Sequence, residues 1–149
     1  MRAPLLYPAW LVAAVAMLGS LYFSDIRFFV PCTLCWYQRI LMYPLVIILG
    51  VASYKQDKSV TRYALPLSVL GTLVAAFHFL EQKVPWISSS AVCRSGVPCD
   101  VQYINWLGFI TIPFLSLVAF AIITVLLVMV RRSRARAVTA GAPASAAPP

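Results

Sequence analysis

Four long apolar runs divide this sequence, and they decide most of what the chain can become. They cover about Leu5–Phe23, Trp36–Tyr54, Tyr63–Leu80 and Leu107–Val130. Each is close to the roughly 20 residues that a helix needs to cross about 30 Å of hydrocarbon. Lipid offers no partner to backbone N–H and C=O groups, so a spanning segment must satisfy them as a helix or a closed barrel. The apolar/polar alternation of a membrane barrel is absent from these runs. Only 11% of residues are charged, whereas a soluble domain carries about 25%. The expected fold is an all-α integral membrane protein, a four-helix transmembrane bundle with two outward cysteine-bearing loops. One membrane domain covers residues 1–136. The Ala/Pro-rich segment 137–149 is expected to be a disordered cytoplasmic tail.

The net charge of +8 is distributed as a topology signal rather than as a nucleic-acid footprint. Arg2, Lys55, Lys58, Arg62, Arg131, Arg132, Arg134 and Arg136 fall on one side of a four-span topology, opposed only by Asp57. The excess of Lys and Arg in cytoplasmic segments then places both termini and the middle loop in the cytoplasm, with the cysteine loops outside. The basic tail reads as an anchor in contact with anionic lipid. Ala14-Val15-Ala16 loosely matches a signal-peptide cleavage site, but the apolar stretch continues through Phe23, and an uncleaved first span is expected.

All four cysteines lie outside the apolar cores. Cys32 and Cys35 sit at the first outward loop, Cys93 and Cys99 in the second, and none falls in a cytoplasmic segment. Disulfides persist outside the cytosol, and the even number and paired spacing favour two disulfides over four free thiols. A bridge across Cys32-Thr33-Leu34-Cys35 closes so short a loop that it removes little entropy from the unfolded chain. The pair is therefore a weak staple and a good redox centre, since a helix N-terminus lowers a thiolate pKa and Pro31 suits a helix start. Two bland alternatives stay open, namely structural bridges and a Cys₄ zinc site. Haem attachment fails, because Trp36 stands where a histidine is required.

"CRSGVPC", residues 93–99, reads as an accessible dithiol loop whose Ser, Gly and Pro favour turns. A partner's thiolate can attack such a disulfide and be resolved by exchange, and the electrons can then pass to Cys32–Cys35. Arg39 lies one helical turn deeper than Cys35, about 6 Å along the axis. A cation there either snorkels to headgroups or donates to a carbonyl of a membrane quinone, stabilising charge that develops on reduction. Trp36 and Tyr37 are candidates to flank the ring. His78, with Glu81 and Gln82 just beyond, is a candidate proton relay or a packing residue. Asn105 and Trp106 read as packing and anchoring residues.

The chain resembles the DsbB family of disulfide bond formation proteins, in particular its short BdbC-type branch. "PCTLCWYQR" at 31–39, "CRSGVPC" at 93–99 and "INWLGFITIPFLSLVAF" at 104–120 carry the resemblance. It implies a multi-pass protein of the bacterial cytoplasmic membrane that reoxidises an extracytoplasmic thioredoxin-fold thiol oxidase, DsbA-like or BdbD-like. The electrons would go to membrane quinone, ubiquinone or menaquinone, without a metal, in support of disulfide formation in exported proteins. By motif position, Cys32–Cys35 is the quinone-proximal disulfide, Cys35 the sulfur that engages quinone and Arg39 the quinone-contacting cation. Cys93–Cys99 is the partner-facing disulfide, with Cys93 holding the mixed disulfide. The compact spacing of that second pair departs from the better-known DsbB proteins, which separate it by a longer segment. The alternative from another class is a non-catalytic membrane protein whose disulfides brace its outward loops.

Overall fold

The computed structural model describes residues 4–84, 99, 103–105, 107–108 and 110–140. Among them the backbone forms four long helices. Helix α1 (Leu6–Leu21) widens into a π-helical turn over Tyr22–Ile26. Helix α2 covers Thr33–Lys55, α3 covers Thr61–Lys83 and α4 covers Ile112–Ala140. All four are long and apolar enough to cross a membrane.

The helices pack in a ring, with α1 against α2, α2 against α3, α3 against α4 and α4 against α1. In α3, residue size more than polarity decides which face turns inward. The buried stripe of α3 is Thr61, Ala64, Ser68, Gly71, Ala75, His78 and Glu81, at helical spacings of three and four. Leu70, Leu73 and Leu80 of the same helix are exposed on its outer face. In lipid, small residues let backbones approach and gain dispersion contact that apolarity alone does not supply. Phe120 of α4 fills the space left at Gly71, where a Cβ would fall inside its ring. Beside that contact, Thr124 Oγ1 lies 3.1 Å from Ser68 Oγ, a polar tie between α3 and α4.

Three boundaries differ from the sequence reading. Helix α2 starts at Thr33, ahead of the apolar run at Trp36, because Cys32 serves as its N-cap and its sulfur accepts the Cys35 N–H at 3.4 Å. Helix α4 starts at Ile112, five residues after Leu107, because Leu107 (φ 54°) and Gly108 (φ 80°) hold left-handed backbone that a right-handed helix cannot include. Pro113 then occupies the first turn, where its missing N–H costs nothing. At its other end α4 continues through the arginines to Ala140, so residues 137–140 are helical rather than part of a disordered tail. Residues 141–149 lie outside the described residues. The loop between α2 and α3 is short, and Asp57 Oδ1 caps its 3₁₀ turn by accepting the Ser59 N–H at 2.8 Å.

Candidate redox site

The start of α2 sets the geometry. As N-cap and first-turn residues, Cys32 and Cys35 share one face, and their sulfurs lie 2.9 Å apart as free thiols. Cys32 is buried and Cys35 half-buried. Helix α3 brings His78 to the same place, where it is only 1% exposed. Its Nε2 lies 3.6 Å from Cys32 Sγ, and its Nδ1 lies 2.9 Å from Gln38 Nε2. An amide Nε2 can only donate, so Nδ1 accepts and Nε2 is left as the donor, towards the Cys32 sulfur. Cys32, one residue ahead of the α2 span, has its thiol pKa pulled well below the ordinary 9.0. The hydrogen bond from the Cys35 thiol is the chief cause, His78 and the Cys35 backbone N–H add to it, and burial opposes it.

Below the thiols, Cys35, Gln38, Arg39 and Met42 line one side of a cavity of about 510 Å³. Helix α1 (Leu11 to Ser20) and helix α4 (Ile112 to Ile122) form its other walls, and Phe23, Phe29 and Tyr103 close the thiol end. Phe29 stacks on Tyr103 with ring centres 4.7 Å apart, and Phe23 stacks on Phe29 at 6.1 Å. Most of the lining residues are apolar, with Ser20, Gln38, Arg39 and Ser116 among the polar ones. Arg39 donates from Nε and Nη2 to Ser20, and its Cζ lies 5.5 Å from the Trp36 ring centre.

Of the expected site residues, the fold brings Cys32, Cys35, Arg39 and His78 into one neighbourhood. Trp36 and Tyr37 are half-exposed and do not line the cavity. Helical periodicity explains this placement. With Cys35 on the cavity wall, positions three, four and seven residues on share its face, whereas 36 and 37 turn away. The same rule picks out Gln38, which the sequence reading passed over. Cys99 is buried and disulfide-bonded, and it shares a small apolar cluster with Cys32 and Leu34. Its carbonyl accepts from Gln82 Nε2 at 3.4 Å. Cys93 and Trp106 lie outside the described residues. Glu81 is buried one turn beyond His78, and Asn105 is exposed. The sulfurs of Cys32 and Cys35 and a ring nitrogen of His78 lie within 4.8 Å of one another. Among the described residues these form a group of three possible metal donors.

The family model described as Disulfide bond formation protein DsbB matches residues 2–130. The chain belongs to the DsbB family. Disulfide bond formation protein C of Bacillus subtilis (strain 168) is 57% identical over 130 residues, 87% of this chain and 94% of that protein. The probable disulfide formation protein C of Halalkalibacterium halodurans is 49% identical over 87% of this chain and 95% of its own length. A probable disulfide formation protein of Coxiella burnetii is 46% identical over 83% of this chain and 85% of its own. No solved structure matches the chain. Membership in the DsbB family, with four helices able to span a bilayer, makes this a multi-pass membrane protein of disulfide bond formation, an oxidoreductase of thiols and disulfides.

Proposed function

We propose that this protein oxidises the dithiol of an extracytoplasmic thioredoxin-fold partner and passes the two electrons to membrane quinone. The observation that carries the reading is the placement of Cys35 and Arg39 on the wall of one largely apolar cavity. Its volume of about 510 Å³ and its mostly apolar lining with a few polar groups fit a flat dicarbonyl ring with an isoprenoid tail. Quinone supplies the acceptor chemistry, taking up two electrons and two protons to leave as quinol.

The chain's residues divide the exchange. The partner's thiolate attacks Cys93 of a Cys93–Cys99 disulfide, and the partner's second thiol displaces Cys93, leaving the partner oxidised and the loop reduced. Cys99 shares a cluster with Cys32, so the Cys99 thiolate is the one to attack Cys32 of the Cys32–Cys35 disulfide. Cys35 leaves as the thiolate on the cavity wall, and Cys93 displaces Cys32 to re-form the loop disulfide. His78 stabilises the released Cys32 thiolate by donating from Nε2. The Cys32–Cys35 disulfide would re-form as its two electrons pass to quinone, with Arg39 donating towards the ring oxygen on which negative charge develops. The sum is partner dithiol plus quinone giving partner disulfide plus quinol.

The reading is tested with detergent-purified protein, a reduced thioredoxin-fold partner and a soluble quinone, followed by quinone absorbance. Turnover that stops on Cys32→Ser is expected. Undiminished turnover in that variant would reject the mechanism.

A further inference from the structure

Arg39 does not enter the cavity as a loose cation. Its Nε donates to Ser20 Oγ at 2.9 Å, and its Nη2 donates to the Ser20 carbonyl at 3.0 Å. Two bonds from one edge of the planar guanidinium to one residue fix both its position and its plane, a fork that a point charge cannot reproduce. Trp36 lies against the guanidinium at cation–π distance. Ser20 stands in the last turn of α1, just ahead of its π-helical continuation. An arginine reaching for lipid headgroups would extend along its own helix, whereas this one is tied across to its neighbour. Both residues line the cavity. The other guanidinium edge, at Nη1, makes no hydrogen bond among the described residues.

We infer that Ser20 is the positioning residue for Arg39, holding the guanidinium so that its remaining N–H groups meet a quinone carbonyl at a fixed place. Given the quinone reading above, on which this rests, the gain is preorganisation. The donor is already aimed when charge develops and needs no rearrangement at that moment. A free arginine would have to be ordered by each incoming ligand, which weakens binding.

The test compares Ser20→Ala, Ser20→Thr and Arg39→Ala in steady-state quinone reduction at saturating reduced partner. Ser20→Ala removes the Oγ acceptor and keeps the carbonyl. It is expected to raise the quinone KM about tenfold, the size of one hydrogen bond to a charged group, with kcat changed far less. Ser20→Thr keeps the hydroxyl and is expected to restore KM to within about twofold of wild type. If Arg39→Ala raises KM and Ser20→Ala does not, the positioning role is overturned while the quinone role of Arg39 stands. If neither raises KM, the quinone reading of Arg39 fails and the positioning role falls with it. If Ser20→Ala and Ser20→Thr raise KM alike and lower the melting temperature in detergent alike, Ser20 is a packing residue and the assignment is overturned.

Discussion

His78 on α3 and Cys32 at the head of α2 stand 46 positions apart in the chain, and 3.6 Å separates Nε2 from Sγ. The contact gives a buried sulfur a donor from a neighbouring helix, and Gln38 fixes which nitrogen donates. In the reduced protein the Cys32 pKa is depressed below its ordinary 9.0. A depressed acid pKa contributes stability that is fully present above the unfolded pKa and is lost as pH falls through the folded one. The reduced protein should therefore lose stability progressively as pH falls from about 9 to about 4. Replacing His78 by Ala is expected to move the pH midpoint of Cys32 alkylation upward by about one unit, the effect of a lost hydrogen bond to a charged group. An unmoved midpoint would return His78 to a packing role.

The cluster shared by Cys32 and Cys99 predicts which sulfurs meet between the two pairs. In a Cys35→Ser/Cys93→Ser double variant, mild oxidation is expected to join Cys32 to Cys99. Peptide mapping under non-reducing conditions reads the bond. Intermolecular dimers in its place would mean that the two sulfurs do not meet.

Arg39→Lys keeps the charge but cannot fork onto both oxygens of Ser20. It is expected to recover only part of the quinone affinity lost in Arg39→Ala, where removal of a charge-stabilising donor costs about 10²–10³ in rate. The comparison is made on quinone KM and kcat for the three proteins. Full recovery by lysine would show that charge alone is used.

The cavity wall separates two sets of aromatics. Tyr37→Leu is expected to leave the quinone KM within about twofold, in line with a substitution away from buried features. Phe29→Ala opens the aromatic stack at the cavity end and is expected to raise KM several-fold, since an aromatic pair contributes about 0.5–1.5 kcal/mol beyond its burial. The reverse pattern would place Trp36 and Tyr37 at the ring's flank.

The packing of α3 on α4 depends on Gly71. Gly71→Ala places a methyl group in the ring of Phe120 and is expected to destabilise the bundle by about 1–3 kcal/mol through overpacking. Unfolding in mixed detergent measures it. Phe120→Leu should relieve part of that loss when combined with Gly71→Ala, a non-additivity that independent sites would not show.

The spans were legible in the sequence because they rest on local composition. Helix ends were less so. The α2 start depends on a cysteine acting as a cap, and the α4 start depends on left-handed backbone at Leu107 and Gly108. Inward faces were hidden for another reason. In helices that are apolar all round, hydropathy carries little directional signal, and in α3 the interior is marked by small residues instead. Gln38 was nonetheless reachable, since it lies three positions after Cys35. The Ser20–Arg39 and Cys32–His78 contacts were not, because nothing local ties residues on different helices together.

The ring order of the helices gives the cavity a particular place in the chain's history. Its walls come from α1, α2 and α4, so it lies along the seam where the first and last helices close the ring. A nascent chain that has inserted three helices already holds Cys32, Cys35 and His78, yet lacks one side of the chamber below them. The thiols are thus assembled before the chamber beneath them, and only the arrival of the fourth helix joins the two.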